Sequence, residues 1–174
     1  ISQAVRLMGP TFGGINLEYI SSPRCFEIEQ RLQEALDIPV FHDDQHGTAI
    51  VVGAALLNGL AVAGKDIKKI KLVTSGAGAA ALACLGLLVK LGVPRENIWV
   101  TDLAGVVWQG RTELMDPDKQ EFGQPTSQRS LADVIAGADV FLGLSAAGGL
   151  KPEMVKLMTA RPIIFALANP TPEI

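Results

Sequence analysis

The stretch Val73-Thr74-Ser75-Gly76-Ala77-Gly78-Ala79-Ala80-Ala81 decides the fold. It reads G-x-G-x-x-A between an apolar run, Ile70 to Ser75, and an Ala- and Leu-rich run that ends near Leu91-Gly92. Gly76 permits a tight turn, Gly78 lets the backbone approach a pyrophosphate, and Ala81 keeps the helix close to the sheet. Phosphate oxygens then meet free N–H groups at the positive end of a helix. Alone, such a motif serves close Gly/Ala packing as well as it serves a ligand. Asp102 adds the context: it ends the next apolar strand, 21 residues after Ala81, where a carboxylate can accept both ribose hydroxyls. Strand, turn, helix, strand and acid in that order predict a dinucleotide site that uses Gly76, Ala77, Gly78, Ala81 and Asp102. A carboxylate at 102 favours the unphosphorylated ribose of NAD. Arg111 and Lys119, in the loop that follows, could instead meet the 2′-phosphate of NADP, so both cofactors stay open.

Outward from this loop the chain alternates strands and helices. Strands are expected at Pro39–Phe41, Ile70–Ser75, Ile98–Thr101, Val140–Leu144 and Ile163–Ala168, with a small extra one at Val106–Trp108. Helices are expected from Ser22-Pro23, from Gly47-Thr48 to about Ala63, from the glycine turn to Leu91, at Ser130–Ala136 and from Lys151-Pro152. Residues 109–127 read as a polar loop. In the first helix, Cys25, Phe26, Ile28, Leu32, Ala35 and Leu36 fall on one stripe, and Glu27, Glu29, Gln30 and Arg31 read as the solvent side. The pattern predicts an α/β fold, a doubly wound, Rossmann-like parallel sheet covered on both faces, with a remnant of a substrate domain in front of it.

Composition narrows the function classes. The 174 residues are 48% hydrophobic and 19% charged, the balance of a compact globular chain. Net charge is −3 from 15 basic and 18 acidic side chains, and no basic stripe appears, which argues against nucleic acid. Cys25 and Cys84 form neither a disulfide framework nor a metal pair and fit a reducing, cytoplasmic setting. The longest apolar run, Ala49–Ala63, is interrupted by Gly53, Asn58 and Gly59 and is followed by Lys65 and Asp66, so it reads as a buried helix rather than a membrane span. No leader peptide is visible. The chain begins at Ile1 and stops just after an apolar strand, and it reads as a piece of a longer protein.

Two further segments carry acids: Asn16-Leu17-Glu18-Tyr19 and Phe41-His42-Asp43-Asp44-Gln45-His46-Gly47-Thr48. Carboxylates at strand ends suit a hard divalent cation such as Mg²⁺ or Mn²⁺. Equally, Asp43 or Asp44 could cap the long helix. His42 and His46 would suit zinc only with a third ligand motif, which is missing.

Four strings, Phe12–Glu18, Ile38–Thr48, Ser75–Ala80 and Phe165–Pro172, resemble the bacterial malic enzymes along nearly the whole chain. The resemblance implies oxidation of malate with NAD or NADP, decarboxylation to pyruvate and CO₂, and dependence on Mg²⁺ or Mn²⁺. It further implies Glu18 and Asp44 as metal ligands, and Asp43 as the acid that partners a catalytic lysine. Asn169 becomes a substrate contact that also borders the cofactor. Gly76, Gly78, Asp102 and Ser145 belong to the cofactor site, with Gly143–Ala146 on the nicotinamide side. It places residues 1–43 in a partial substrate and metal domain and 44–174 in the NAD(P)-binding domain, and it implies a homo-oligomer. The chemistry needs such groups: a divalent cation polarises the hydroxyl and then the carbonyl, a base takes the hydroxyl proton, and an acid protonates the enol carbon.

Two departures stand out. Tyr19 occupies a position where the family carries an aspartate, which predicts weaker metal binding. The family's general-acid tyrosine and general-base lysine lie upstream of the glutamate, so this chain alone is expected not to turn over malate. Another two-domain dehydrogenase, such as an amino-acid dehydrogenase, fits the glycine loop but not the Phe41–Gly47 string. A nucleotide-sensing module that binds cofactor without catalysis is the alternative that Tyr19 favours.

Overall fold

A computed structural model describes all 174 residues. In chain order the elements are α1 (Ser2–Met8), β1 (Ile15–Leu17), α2 (Arg24–Ala35), β2 (Val40–His42), a π turn (Asp43–Gly47) and α3 (Thr48–Ala63). Then come β3 (Leu72–Ser75), α4 (Ala79–Leu91), β4 (Ile98–Asp102), β5 (Gly105–Val106), α5 (Pro117–Gln120), α6 (Leu131–Val134), β6 (Val140–Gly143), α7 (Pro152–Val155) and β7 (Ile163–Ala166).

Five strands form the main sheet in the order β5-β4-β3-β6-β7. All pairs are parallel except β4 with the short edge strand β5. The strands are apolar on both faces, as a parallel sheet between two helical layers requires. Leu72, Val140 and Leu142 point to one core with Val52, Leu56 and Leu60 of α3 and Leu82, Leu85 and Leu88 of α4. Their neighbours Val73 and Phe141 point to the other core with Val134, Ile135, Leu150 and Met158. The period of two along a strand produces this division. The doubly wound sheet is therefore present. Its winding reverses at β3, whose neighbours are β4 on one side and β6 on the other, and the carboxyl ends of these strands form the crevice where open α/β sheets bind ligands.

With the turn before it, the stretch Asp43–Ala63 has 21 residues and is long and apolar enough to cross a bilayer by length and composition. Here its buried face packs along α4 and β7. Gly64 ends α3 at φ +64 and Gly92 ends α4 at φ +117, left-handed stops that glycine supplies without a Cβ clash. The 109–127 segment is less irregular than its polarity suggests, because the Asp116 side chain accepts the Lys119 N–H and Pro117 takes the first position of α5.

The N-terminal part stands apart. β1 and β2 make their own two-stranded parallel sheet, Leu17 opposite His42, over a small core of Leu17, Leu32 and Val40. The first-helix stripe needs one correction. Glu29 lies inside it, 6% exposed, between Cys25 and Leu32 at helical spacing. Its carboxylate is buried because Gln33, Gln45 and His46 donate to or share protons with it.

Candidate functional site

The glycine loop leaves β3 at Ser75 and enters α4 at Ala79. Gly76 has φ +115, and a Cβ there would stand 2.4 Å from the Leu144 carbonyl oxygen, so this position admits only glycine. Gly78 faces open space, with nothing within 4 Å of where its Cβ would be. It is the N-cap of α4, and no side chain caps the helix. The first N–H groups of α4 thus remain free for an anion. Ala81, in the first turn of α4, is buried.

The loop opens into a cleft of about 680 Å³. Ser75, Gly76, Ala77 and Gly78 line it together with Asp102, Leu103, Lys119, Ser145, Ala146 and Gly149. The cofactor residues expected from sequence, other than the buried Ala81 and the exposed Asn169, thus meet in one place. Ser75 and Ser145 share a hydroxyl hydrogen bond of 2.8 Å across the crevice, which ties the glycine loop to the loop after β6. These groups fit a dinucleotide: an uncapped helix end for the pyrophosphate, an acid at the β4 end, and small residues that leave room.

Asp102 is not free in the way its position alone suggests. Oδ1 accepts from the Ala104 N–H and from Arg111 Nη1, both at 2.9 Å. Oδ2 accepts from Arg111 Nη2 and, at 3.1 Å, from Lys119 Nζ. These four bonds match the roughly four lone-pair sites of a carboxylate. Burial alone would raise this carboxyl, but the Arg111 and Lys119 bonds outweigh it and hold Asp102 below the usual range. Arg111 is no solvated loop cation: its side chain is 4% exposed and also donates to the Gly105 and Val106 carbonyls. Lys119 is the cation that reaches the cleft wall.

The acids are less assembled. Asp44 Oδ2 accepts the Tyr19 N–H at 2.9 Å, which places the end of β1 against the turn after β2. Glu18 Oε1 accepts from Asn16. No group of three His, Cys, Asp or Glu side chains comes together that could hold a metal ion. Glu18 and Asp44 are thus engaged by different partners, Asn16 and the Tyr19 N–H, rather than by one another. Tyr19 is 94% exposed and left-handed at φ +57, so its backbone rather than its ring addresses Asp44. Neither aspartate caps α3, whose N-cap is Gly47 without a side-chain bond. Instead Asp43 folds over Gly47, where a Cβ would stand 2.0 Å from Oδ1. Asp43 lines a second, apolar hollow of about 460 Å³ with Val51, Leu144, Phe165 and Leu167. Leu144 and Ser145 are consecutive, so the hollow and the cleft lie on two sides of one loop.

Both cysteines are buried, and burial pushes the Cys84 thiol up to about 12, which removes it as a nucleophile. Glu29 and Glu173 are the polar residues that sequence reasoning missed. Glu29 carried a readable signal in its helical spacing. Glu173 did not, since its partners Ser145 and Leu150 lie on another loop.

The comparisons agree with this geometry. The family model described as malic enzyme, NAD binding domain, matches residues 45–174. The chain is 65% identical over 170 residues to the NAD-dependent malic enzyme of Rhizobium meliloti, covering 98% of this chain and 22% of that protein. It is 55% identical over 173 residues to the NADP-dependent malic enzyme of Escherichia coli, covering 99% of this chain and 23% of that one. It thus spans under a quarter of the length of these curated relatives. Among solved structures, the NAD-dependent malic enzyme of Thermotoga maritima superposes with a TM-score of 0.92 at 44% identity, over 99% of this chain and 47% of that one.

Proposed function

Because the chain belongs to the malic enzyme family, we propose that it supplies the NAD(P) site and part of the metal site for oxidative decarboxylation of malate to pyruvate and CO₂. One observation carries the reading: Gly76, Gly78, Asp102 and Ser145 meet in a single cleft at the switch point of the sheet.

The chain's own residues then have distinct tasks. The α4 N-terminus binds the pyrophosphate, and the Ser145 loop borders the nicotinamide half. Glu18 and Asp44 would hold a divalent cation, which when bound supplies Lewis acidity at the malate hydroxyl and at the carbonyl that replaces it. Asp43 would position the lysine that serves as the base for the malate hydroxyl proton. Asn169, exposed on the loop after β7, orients the substrate. Val51, Leu144, Phe165 and Leu167 give the hollow beside Asp43 an apolar wall. Cofactor choice turns on Lys119. With Asp102 saturated by its partners, a 2′-phosphate would meet a cation in the cleft wall, whereas a ribose hydroxyl must displace an existing bond.

Titration with NADH and NADPH, followed by tryptophan fluorescence, tests the cofactor part. Trp99 packs under Lys71 and Trp108 under Arg129, neither lining the cleft, so the signal is energy transfer to the bound reduced nicotinamide, and saturable quenching of at least one is expected. Failure of both cofactors to bind would sink the reading. A cofactor-binding module without turnover is the second reading. Two observations favour it for the isolated chain: its acids form no three-ligand set, and its one tyrosine points to solvent. Malate-dependent NAD(P)H formation by the isolated chain would rule it out.

A further inference from the structure

Glu173 is fully buried in the segment that follows β7. Its Oε1 accepts the Ser145 N–H at 2.9 Å and its Oε2 accepts the Ala168 N–H at 3.1 Å. Its own carbonyl accepts the Leu150 N–H at 2.9 Å. Gly143 makes the room, since a Cβ there would stand 2.4 Å from the Glu173 carboxyl carbon. Glu173 takes part in none of the chain's ion pairs. Two backbone amides therefore carry the whole compensation of a buried acid, which is a costly arrangement in a dry interior.

The place of this acid gives it a use. Asp102 draws the adenosine half of a dinucleotide toward β4, and α4 takes the pyrophosphate. The other half must extend past β3 toward β6, where Ser145 and Ala146 line the same cleft. Glu173 sits directly behind that wall, bonded to its backbone. A nicotinamide ring is a cation when oxidised and neutral when reduced, and the two forms are otherwise nearly the same shape.

We propose that Glu173 is a charge selector for the oxidised cofactor. It holds a fixed negative charge behind the Ser145 wall and thereby binds NAD(P)⁺ better, relative to NAD(P)H, than a neutral wall would. The proposal rests on reading the cleft as a dinucleotide site. Pinning the loop is the bland alternative, and it treats both redox forms alike.

The experiment measures Kd for NAD⁺ and for NADH with the unsubstituted chain, Glu173→Gln and Glu173→Asp, with thermal unfolding of each. Glu173→Gln is expected to shift the ratio of the two constants about tenfold toward NADH. Glu173→Asp, which keeps the charge, should stay nearer the unsubstituted ratio. Equal weakening of both forms, or an unmoved ratio, overturns the selector. Should the glutamine variant fail to fold, Glu173→Met, a neutral side chain of similar length, takes its place with the same expected shift toward NADH, and an unmoved ratio in it overturns the proposal. If the unsubstituted chain binds neither form, the cofactor reading itself falls, and that outcome is distinct from the others.

Discussion

The cofactor cleft sits on the ends of three adjacent parallel strands, β4, β3 and β6, whereas Glu18, Asp43 and Asp44 sit at the end of a two-stranded sheet and in a π turn. The first place is held by a ladder of backbone bonds and two apolar cores. The second is held by a three-residue core, by the packing of the π turn against α3 and α4, and by single side-chain bonds such as Tyr19 N–H to Asp44. A rigid scaffold assembles its site before any ligand arrives. A site spread over short loops leaves part of the geometry to the ligand. This explains why the cleft is complete here and the acid cluster is not.

The largest expected effect breaks the assembled side of that comparison. Gly76→Ala puts a Cβ against the Leu144 carbonyl and forces a left-handed residue. The strain is about 1–3 kcal/mol. The glycine loop must shift, and NADH affinity should fall about 100-fold, as misplaced binding groups commonly cost. An affinity within a few fold of the unsubstituted chain would mean that the contact with Leu144 does not shape the cleft.

Next comes the far end of the same sheet. Lys65 Nζ bonds Asp139 at 2.6 Å and Thr159 at 2.9 Å, while the Lys71 N–H bonds the other Asp139 oxygen. Burial alone would raise Asp139, but these donors outweigh it and hold the carboxyl below its usual range. A depressed folded-state value contributes stability above the unfolded value of about 3.9 and loses it as pH falls through the folded one. Lys65→Met should cost about 2 kcal/mol, short of a fully buried pair, and flatten the acid side of the stability curve. Cofactor affinity should hold, since this cluster lies at the opposite strand ends from the cleft. A lost affinity at full folding would show that the scaffold and the cleft are less separable than argued.

How legible each region was follows from the same contrast. Strand, turn, helix and acid run consecutively from Val73 to Asp102, so a local pattern reports them. The Asp43–Gly47 string was legible through resemblance, but its π turn was not, since nothing in its composition separates a wide turn from the first turn of α3. Glu173 bonds Ser145 across 28 positions, and Glu29 bonds Gln45 across 16. Only Glu29 left a periodic trace, by falling four residues after Cys25. Arg111 looked like a loop cation because nothing local says that the chain will fold it back onto Asp102.

Lys119→Gln sharpens the comparison within the cleft. A bond to a charged phosphate is worth about 1.5–3 kcal/mol, so NADPH affinity should fall at least about tenfold. NADH should change little, or gain slightly as an Asp102 lone pair is released. Parallel titrations with the two cofactors read this directly, and equal losses would remove Lys119 from the discrimination.

Tyr19→Asp is the smallest effect and the most direct probe of the unassembled side. Position 19 is left-handed at φ +57, a conformation that aspartate tolerates better than a bulky aromatic. The substitution keeps the N–H that Asp44 accepts and adds a carboxylate beside Glu18. Affinity for a hard cation rises with the number of charged ligands, so Mn²⁺ binding should tighten about threefold. Because the Tyr19 ring is exposed, folding should not change. Mn²⁺ affinity that stays put would show that residue 19 does not face the ion. The ion would then draw on Glu18, Asp44 and groups outside this chain, and the incompleteness of the acid cluster would be a property of the turn rather than of one substituted residue.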